Sequence, residues 1–445
     1  LEEKESIGVG LMGLGVVGGG VAKVLLERSD ALARQAGYNL RLKKVLVRDA
    51  DKPRSVTLDS SLITCDPQQI LSDPDIGIVI EVMGGEQPAL DYAKQALLGG
   101  KYVVTANKEV MAKYMAELLE MAAQEGVGIL YEASVGGGIP LLLPLQEGLL
   151  ANEIRAIYAI INGTTNYILT KMSSEGLSFG DALREAQQLG YAEADPSNDV
   201  EGTDALYKLA ILASSAFHTT VRPDDIYCQG ITSIGERDFR YAKELGYEIK
   251  LLAIAKKVGG SIEVRVHPAF VPTDYLLAKV DGVYNAVQIE GDLVGKVLFY
   301  GEGAGSSPTS SAIVANVIAA AKAIKRSEAM VTARRAVGAP AASVVGRLSN
   351  PAMTIKPMAE VETRYYLRMS IADRPGVLAQ ISGILGDRSI SIASAIQKEA
   401  DAVAQTAEIV LMTHPAREEF MQQALRDMER LPVVKEISNF IRVEG

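Results

Sequence analysis

Between residues 186 and 208 the chain reads Ala-Gln-Gln-Leu-Gly-Tyr-Ala-Glu-Ala-Asp-Pro-Ser-Asn-Asp-Val-Glu-Gly-Thr-Asp-Ala-Leu-Tyr-Lys. Glu193, Asp195, Asp199, Glu201 and Asp204 place five carboxylates in twelve residues, and Lys208 closes the run. Carboxylates at this density could hold a substrate ammonium, and a desolvated lysine could give or take a proton. A helix beginning near Gly202 puts Asp204 and Lys208, four apart, on one face. Two blander readings compete, a solvated acidic turn and a calcium loop. The spacing does not fit an EF-hand, which needs glycine at its sixth position and glutamate at its twelfth.

A second constellation lies near the start. Gly13-Leu14-Gly15-Val16-Val17-Gly18 follows an apolar run and opens a helical pattern. In that setting Gly13 permits the tight turn, Gly15 lets the backbone approach a pyrophosphate, and Gly18 allows close helix–strand packing. The N–H groups of the helix start then face the phosphates. The second strand ends at Val47-Arg48-Asp49. An acidic residue there suits the ribose 2′-hydroxyl of NAD, and an arginine suits the 2′-phosphate of NADP. With both present the choice stays open, and Arg48 tilts it toward NADP. Thr105-Ala106-Asn107-Lys108 ends a later strand, at the sheet edge where open parallel sheets bind ligands. Lys108 could donate to a carbonyl oxygen there, although a surface lysine is the commoner case. Thr105, Lys108 and Gly84, the last at another strand end, join the candidate cofactor contacts.

The elements that must position these residues follow from periodicity. Strands are expected at 7–12, 40–47, 76–82, 101–105 and 128–132, and helices at 18–34, 86–98 and 109–124. Apolar strands alternating with helices imply a parallel sheet covered on both faces. From about residue 152 the texture changes to a mixed α+β region. Strands are expected at 154–161, 250–257, 261–271 and 284–300, and helices at 165–189, 202–217 and 309–325. Residues 337–362, with little periodicity, read as a linker. Residues 363–445 follow a β-α-β-β-α-β order, with helices at 376–387 and 415–430, which is the ferredoxin-like pattern. The expected fold class is α/β. A Rossmann-type domain is expected over 1–150, a mixed α+β domain over 151–302, a linker over 336–362, and a ferredoxin-like domain over 363–445.

Composition removes other classes. The chain has 445 residues and a net charge of -10, with no run of more than two Lys or Arg, so a phosphate-backbone binder is not expected. Its two cysteines, Cys65 and Cys228, fit neither a disulfide framework nor a zinc spacing, which favours a reducing, cytoplasmic compartment. Only three histidines are present, so chemistry built on a histidine cluster is not expected. No apolar run reaches the ~18 residues of a membrane span. Glu2, Glu3, Lys4 and Glu5 leave no apolar stretch at the start, and no signal peptide is expected.

Taken together, these motifs resemble homoserine dehydrogenase of the form with a C-terminal ACT domain, over essentially the whole chain. The most specific part is Ala186, Gly190, Tyr191, Asp195-Pro196, Asp199, Gly202, Asp204 and Lys208. Support comes from Gly13 to Gly18, Thr105 to Lys108, Glu132 to Pro140, Asn162 to Tyr167, Gly301 to Gly305 and Pro308-Thr309. The resemblance implies NAD(P)-dependent interconversion of L-homoserine and L-aspartate 4-semialdehyde. It implies Lys208 as proton donor, Lys108 beside the reacting carbonyl, and Glu193 on the substrate ammonium. Asp199 and Asp204 would organise the site, and Tyr191, Gly163 and Thr164 would line the pocket. It further implies a monovalent cation such as sodium, on the carbonyls of Glu132, Val135, Gly137 and Ile139. Glu302 stands where the family often has arginine, so of the 301–305 turn only Gly303 is retained as a cofactor contact.

Asp373-Arg374-Pro375-Gly376-Val377-Leu378 and the strand that ends at Gln397 resemble an ACT domain. The implied effector is L-threonine, with Asp373 and Gln397 as candidate contacts, and the implied assembly is a homodimer or homotetramer. The competing readings are a catalytically inactive amino-acid sensor and another amino-acid or hydroxy-acid dehydrogenase with an ACT tail. Intact Lys108, Asp204 and Lys208 argue against the first, and the 186–208 signature argues against the second.

Overall fold

The structure is a computed structural model that describes residues 6–54, 56–337, 353–401 and 404–445. The chain divides into two compact units, one from 1–153, 210–223 and 299–352, the other from 154–209, 224–298 and 353–445. Most of the expected linker, 338–352, lies outside the described residues.

The first unit opens with β1 (Ser6–Met12), α1 (Val16–Glu27), α2 (Ser29–Ala36), β2 (Asn39–Leu46), β3 (Ile63–Thr64) and α3 (Gln68–Leu71). It continues with β4 (Ile76–Glu81), α4 (Ala89–Leu98), β5 (Tyr102–Thr105), α5 (Lys108–Glu125) and β6 (Ile129–Leu130). The sheet order is β3-β2-β1-β4-β5-β6, parallel throughout. This is the doubly wound dinucleotide-binding order, whose strands reverse direction of progress at β1 and open a crevice there. β1 and β4 read as continuous apolar runs because helices cover both of their faces.

In the second unit come β7 (Ile154–Ile160), α6 (Gly163–Glu175), α7 (Phe179–Gln188), α8 (Ser197–Val200) and the start of α9 (Thr203–Phe217). Then follow β8 (Tyr227–Cys228), α10 (Glu236–Leu245), β9 (Tyr247–Val258), β10 (Ser261–Pro272), β11 (Tyr284–Gly291) and β12 (Gly295–Glu302). The chain returns to the first unit with α11 (Ser306–Val337), whose Ile313, Val317, Ala320 and Ala321 pack into the core formed by Val9, Leu11, Val21 and Ile80. The C-terminal region holds β13 (Thr354–Ile355), β14 (Glu362–Ala372), α12 (Val377–Asp387), β15 (Ile392–Asp401) and β16 (Thr406–Thr413). It ends with β17 (Ala416–Arg417), α13 (Glu418–Glu429) and β18 (Val434–Val443). Among the described residues no helix is long and apolar enough to cross a membrane.

Several expected elements divide or shift, each for a local reason. The helix expected at 18–34 breaks at Arg28 (φ -115, ψ 19). Ser29 and Asp30 compete for backbone donors and favour a new first turn over a helix interior. The helix expected at 165–189 is two, because Gly176 takes the left-handed conformation (φ 68) and Ser178 caps α7 through the Asp181 N–H (3.1 Å). The strand expected at 284–300 is a hairpin turning at 292–295, where Gly295 has φ 72. Pro88 precedes α4, which starts at Ala89 rather than 86. The helix expected at 309–325 starts at Ser306 and runs to Val337, with no glycine or proline to stop it between Pro308 and Gly338. The helix expected at 415–430 starts at Glu418, since Ala416 and Arg417 pair with β14. Residues 354–355 of the expected linker form β13, a parallel partner of β10.

One sheet runs through the second unit in the order β12-β11-β7-β9-β10-β18-β14-β16-β15. Its last four strands, with α12 and α13, make the β-α-β-β-α-β module, joined to the rest by parallel pairing of Ala269 with Arg442 and Phe270 with Val443. Charges are buried beside this seam. Asp238 is fully buried and accepts from Arg368 Nε (2.8 Å), Tyr366 OH (3.0 Å), Asn439 Nδ2 (2.7 Å) and the Gly235 N–H (2.9 Å). Arg265 is held between Glu263 (2.8 Å) and Glu444 (2.5 Å). Desolvating each ion costs several kcal/mol, about what a full set of partners must offset. These groups have such sets.

Candidate active site

The glycine turn after β1 is shaped as a backbone cradle. Gly13 has φ 101, and a Cβ there would lie 2.8 Å from the Val82 carbonyl oxygen. A Cβ on Gly18 would lie 2.1 Å from the Gly13 carbonyl oxygen. Both glycines are therefore demanded by packing. Gly15 differs, since a Cβ there would meet no atom within 4 Å, so its face is open. Gly15 is the N-cap of α1 and offers no capping side chain, and Val16 beside it is exposed. The N–H groups of this first turn are thus set to receive an anion. Ser306, at the start of α11, donates to the Val16 carbonyl (3.0 Å) and holds this turn in place.

Arg48 is exposed just beyond β2. The Asp49 carboxylate accepts the Asp51 N–H (2.9 Å), and Arg54 donates to the carbonyls of Ala50 (3.0 Å) and Lys52 (2.7 Å). Gly84 and Gly85 both have positive φ (73 and 71) beyond β4. Asn107 ties this loop to α5, its Nδ2 donating to the Gly85 carbonyl (2.7 Å) and its Oδ1 capping the Val110 N–H (3.2 Å). Thr105 is buried, donating to Glu81 (2.6 Å) and accepting the Asn107 N–H (2.9 Å). Burial pushes the Glu81 carboxyl up from its ordinary value. Lys108 is the first residue of α5, where a cation opposes the helix dipole at a cost of about 0.3–1 kcal/mol. A sequence chosen for helix stability would place an acid there.

In the second unit the carboxylate run folds around Asn162, which the sequence offers as part of a motif without a role toward the carboxylates. Asn162 Nδ2 donates to Asp199 Oδ1 (2.6 Å) and to Asp204 Oδ2 (2.8 Å). Its Oδ1 caps α6 through the Thr165 N–H (2.8 Å). Lys208 Nζ donates to Asp204 Oδ2 and to the Ile161 carbonyl, each at 2.7 Å. Asp204 and Lys208 side chains are 6% and 12% exposed, so the pair is largely desolvated. Burial, ahead of the Asn162 bond that opposes it and the charge of Asp204 that adds to it, holds the Asp199 carboxyl above its ordinary value. Thr164 donates to the Tyr191 carbonyl (2.6 Å), and the Tyr191 ring lies 5.1 Å from that of Tyr167. Gly163 opens α6, where a Cβ would strike the Val283 carbonyl oxygen at 2.6 Å. Glu193 is exposed in the loop before α8 and is not brought into the Asn162 network. Asp195 accepts from Ser197 N (3.1 Å) and Oγ (2.5 Å) and shapes the turn.

The candidate cation loop is in the first unit. Gly136 and Gly137 have φ 70 and 58, and Glu132, Val135, Gly137 and Ile139 are buried. The Glu132 carboxylate accepts the N–H groups of Leu141 (2.5 Å), Leu142 (2.9 Å) and Leu143 (2.8 Å). The carbonyls of the turn are the donors that suit a hard cation. Among the described residues no group of His, Cys, Asp and Glu side chains could hold a metal. A Cβ on Gly137 would lie 2.6 Å from the Gly303 carbonyl carbon and oxygen, so the 136–138 and 301–305 turns press directly together. In the C-terminal module Asp373 is exposed, its N–H bonded to the Gln405 carbonyl (2.9 Å), and Gln397 is exposed on β15.

A Rossmann cradle in one unit and a desolvated lysine–carboxylate cluster in the other are the parts of a dinucleotide-dependent oxidoreductase. Comparison with known proteins narrows the class. The profile described as "Homoserine dehydrogenase" matches residues 140–318, "Homoserine dehydrogenase, NAD binding domain" matches 13–132, and "ACT domain" matches 365–433. A homoserine dehydrogenase of Neisseria gonorrhoeae is 41% identical over 440 residues, covering 99% of each chain. The crystal structure of a homoserine dehydrogenase from Thiobacillus denitrificans superposes with a TM-score of 0.90 at 43% identity, covering 99% of both chains. A hyperthermophilic archaeal homoserine dehydrogenase in complex with NADPH matches 71% of this chain and 97% of its own, with a TM-score of 0.59 and 29% identity. The chain belongs to the homoserine dehydrogenase family, in its form with a C-terminal ACT domain.

Two outcomes follow from this geometry. Because the Gly15 face is open, Gly15→Ala is expected to fold normally yet bind its dinucleotide, NADH or NADPH, at least ~10-fold more weakly, about 1.4 kcal/mol. Titration of the variant with each dinucleotide, beside its thermal melt, checks both halves, and unchanged binding would remove Gly15 from the pyrophosphate site. Asp199 concerns stability. Its folded-state pKa is raised, so its contribution to stability is present at acid pH and lost as pH rises through the raised value. Asp199→Asn should therefore melt higher than the parent near neutral pH, with the gap closing as pH falls through the carboxylate range. A variant less stable than the parent at pH 7 would contradict this.

Proposed function

We propose that the chain catalyses the reversible NAD(P)-dependent interconversion of L-homoserine and L-aspartate 4-semialdehyde, with NADP favoured. The observation that carries this reading is the buried Asn162–Asp199–Asp204–Lys208 network, which holds an ammonium beside oriented carboxylates. The dinucleotide supplies the hydride. Lys208, aimed by Asp204 and the Ile161 carbonyl, delivers the proton as negative charge grows on the aldehyde oxygen. Lys108 stabilises the same charge. Glu193 and Asp199 attract the substrate ammonium, and Tyr191, Gly163 and Thr164 bound its pocket. Gly13 to Gly18, Gly84, Thr105 and Gly303 would hold the dinucleotide, and the carbonyls of Glu132, Val135, Gly137 and Ile139 would hold a sodium-like monovalent cation at the 136–138 turn.

Arg48, exposed just beyond β2, is the group offered to a 2′-phosphate, which supports NADP. The division of labour assigns 1–150 with about 303–335 to the cofactor, 151–302 to catalysis and 363–445 to regulation. L-Threonine is the proposed effector, at Asp373 and Gln397. Exposed Leu293 and Tyr300 at the edge hairpin of β12 support a homodimer or homotetramer.

A single spectrophotometric assay tests the reading, using homoserine with NAD or NADP, with and without threonine. Activity is expected with both dinucleotides, and Lys208→Ala is expected to lose at least ~100-fold in turnover. Arg48→Ala should weaken NADPH more than NADH. Near-normal turnover of Lys208→Ala, equal losses for the two cofactors, or indifference to threonine would each remove the corresponding assignment.

A further inference from the structure

The turn between α8 and α9 carries Asp199 on one side and Asp204 on the other, and a strap formed by residues 227–231 holds it from behind. Gly202 closes the turn with φ 90, and a Cβ there would lie 2.9 Å from Cys228 Sγ. Cys228 Sγ donates to the Glu201 carbonyl (3.3 Å), and the Ile231 N–H donates to the Val200 carbonyl (2.8 Å). Gly230 lies so close that a Cβ would be 2.2 Å from the Val200 carbonyl oxygen. On its other side the strap pairs with β10, the Gln229 N–H donating to the Val266 carbonyl (2.8 Å).

The side chains of the strap are gripped from the last strand of the chain. Arg442, 1% exposed on β18, donates from Nη1 to Gln229 Oε1 (2.8 Å) and from Nη2 to Tyr227 OH (3.2 Å). Its guanidinium lies 4.7 Å from the Tyr227 ring centroid. Glu418 fixes that guanidinium with bonds of 3.0 and 2.5 Å, and Tyr365 OH donates to Glu418 (3.0 Å). A bidentate, buried guanidinium is among the most rigid anchors available to a side-chain amide.

We propose that Arg442, through Gln229, is a positioning residue for the Asp199–Asp204–Lys208 cluster, so that the C-terminal module sets the geometry of the catalytic carboxylates. This rests on the reading of that cluster as catalytic. Misplacement by about 1 Å costs on the order of 100-fold in rate, so a rigid strap behind the turn has kinetic weight.

Arg442→Ala would leave Glu418 buried and unpaired, so the test uses Gln229. In the full-length enzyme, Gln229→Leu should lower kcat/KM for homoserine by about 3- to 30-fold. The dissociation constant for NADPH should be unchanged. Gln229→Glu keeps an acceptor for Arg442 and should restore most of the loss. A folded Gln229→Leu enzyme within about twofold of the parent, beside an inactive Lys208→Ala, overturns the proposal and leaves the catalytic reading standing. Equal losses toward homoserine and NADPH also overturn it, as that is what a merely structural role produces. An active Lys208→Ala instead overturns the catalytic reading, and the proposal with it.

Discussion

Two carboxylates brought close together in a desolvated site resist ionising together. Asn162 answers that constraint with one amide nitrogen that donates to both Asp199 and Asp204. Lys208 then neutralises the second of them. Much of the second unit exists to keep this arrangement in register. Asn162 is fixed because its oxygen caps α6, Lys208 is fixed because the Ile161 carbonyl accepts a second bond, and the α8–α9 turn is fixed by a strap that only glycine at 202 and 230 allows. The cost shows at Asp199, whose burial opposes its ionisation. Strain of this kind is expected where geometry matters more than stability.

The first unit is governed by a different constraint, the approach of backbone to ligand. Of the three glycines in its first turn, Gly13 and Gly18 are required by the protein's own packing, and only Gly15 leaves space unused. A fold indifferent to ligand would have no reason to leave that face bare. The same reasoning applies to Lys108, which sits against the helix dipole of α5 in a position that stability alone would fill with an acid.

Much of this was legible in the sequence, because the signals are local. The glycine turn, the pairing of Asp204 with Lys208 at four residues, and the β-α-β-β-α-β order of the last region all depend on spacing within one or two elements. Gly176 and Ser178 carry enough local signal to divide the helix expected at 165–189, but apolar periodicity runs through them and masks the break. The bridging role of Asn162 has no local signal, although the residue lies in a recognised segment. Asparagine before Gly-Thr-Thr reads fully as a helix cap, and its second role toward residues 37 and 42 positions away arises only on folding. Gln229 and Arg442, more than 200 residues apart, meet for the same reason. The seam between β10 and β18 was also hidden, since edge pairing between distant strands leaves no periodic trace.

The scarcity of histidine acquires a physical sense here. His267 is fully buried, and burial first, then the nearby charges of Arg442 and Arg265, holds it well below its ordinary value and therefore neutral. A histidine placed in a similarly desolvated cluster would lose its charge in the same way. Lysine begins about four units higher than histidine, so moderate burial leaves an ammonium charged, especially beside a carboxylate. A reaction that must meet growing negative charge on oxygen and then supply a proton needs a cation that survives desolvation. In the proposed mechanism that demand falls to Lys208, with Asp204 four residues before it on the same helix.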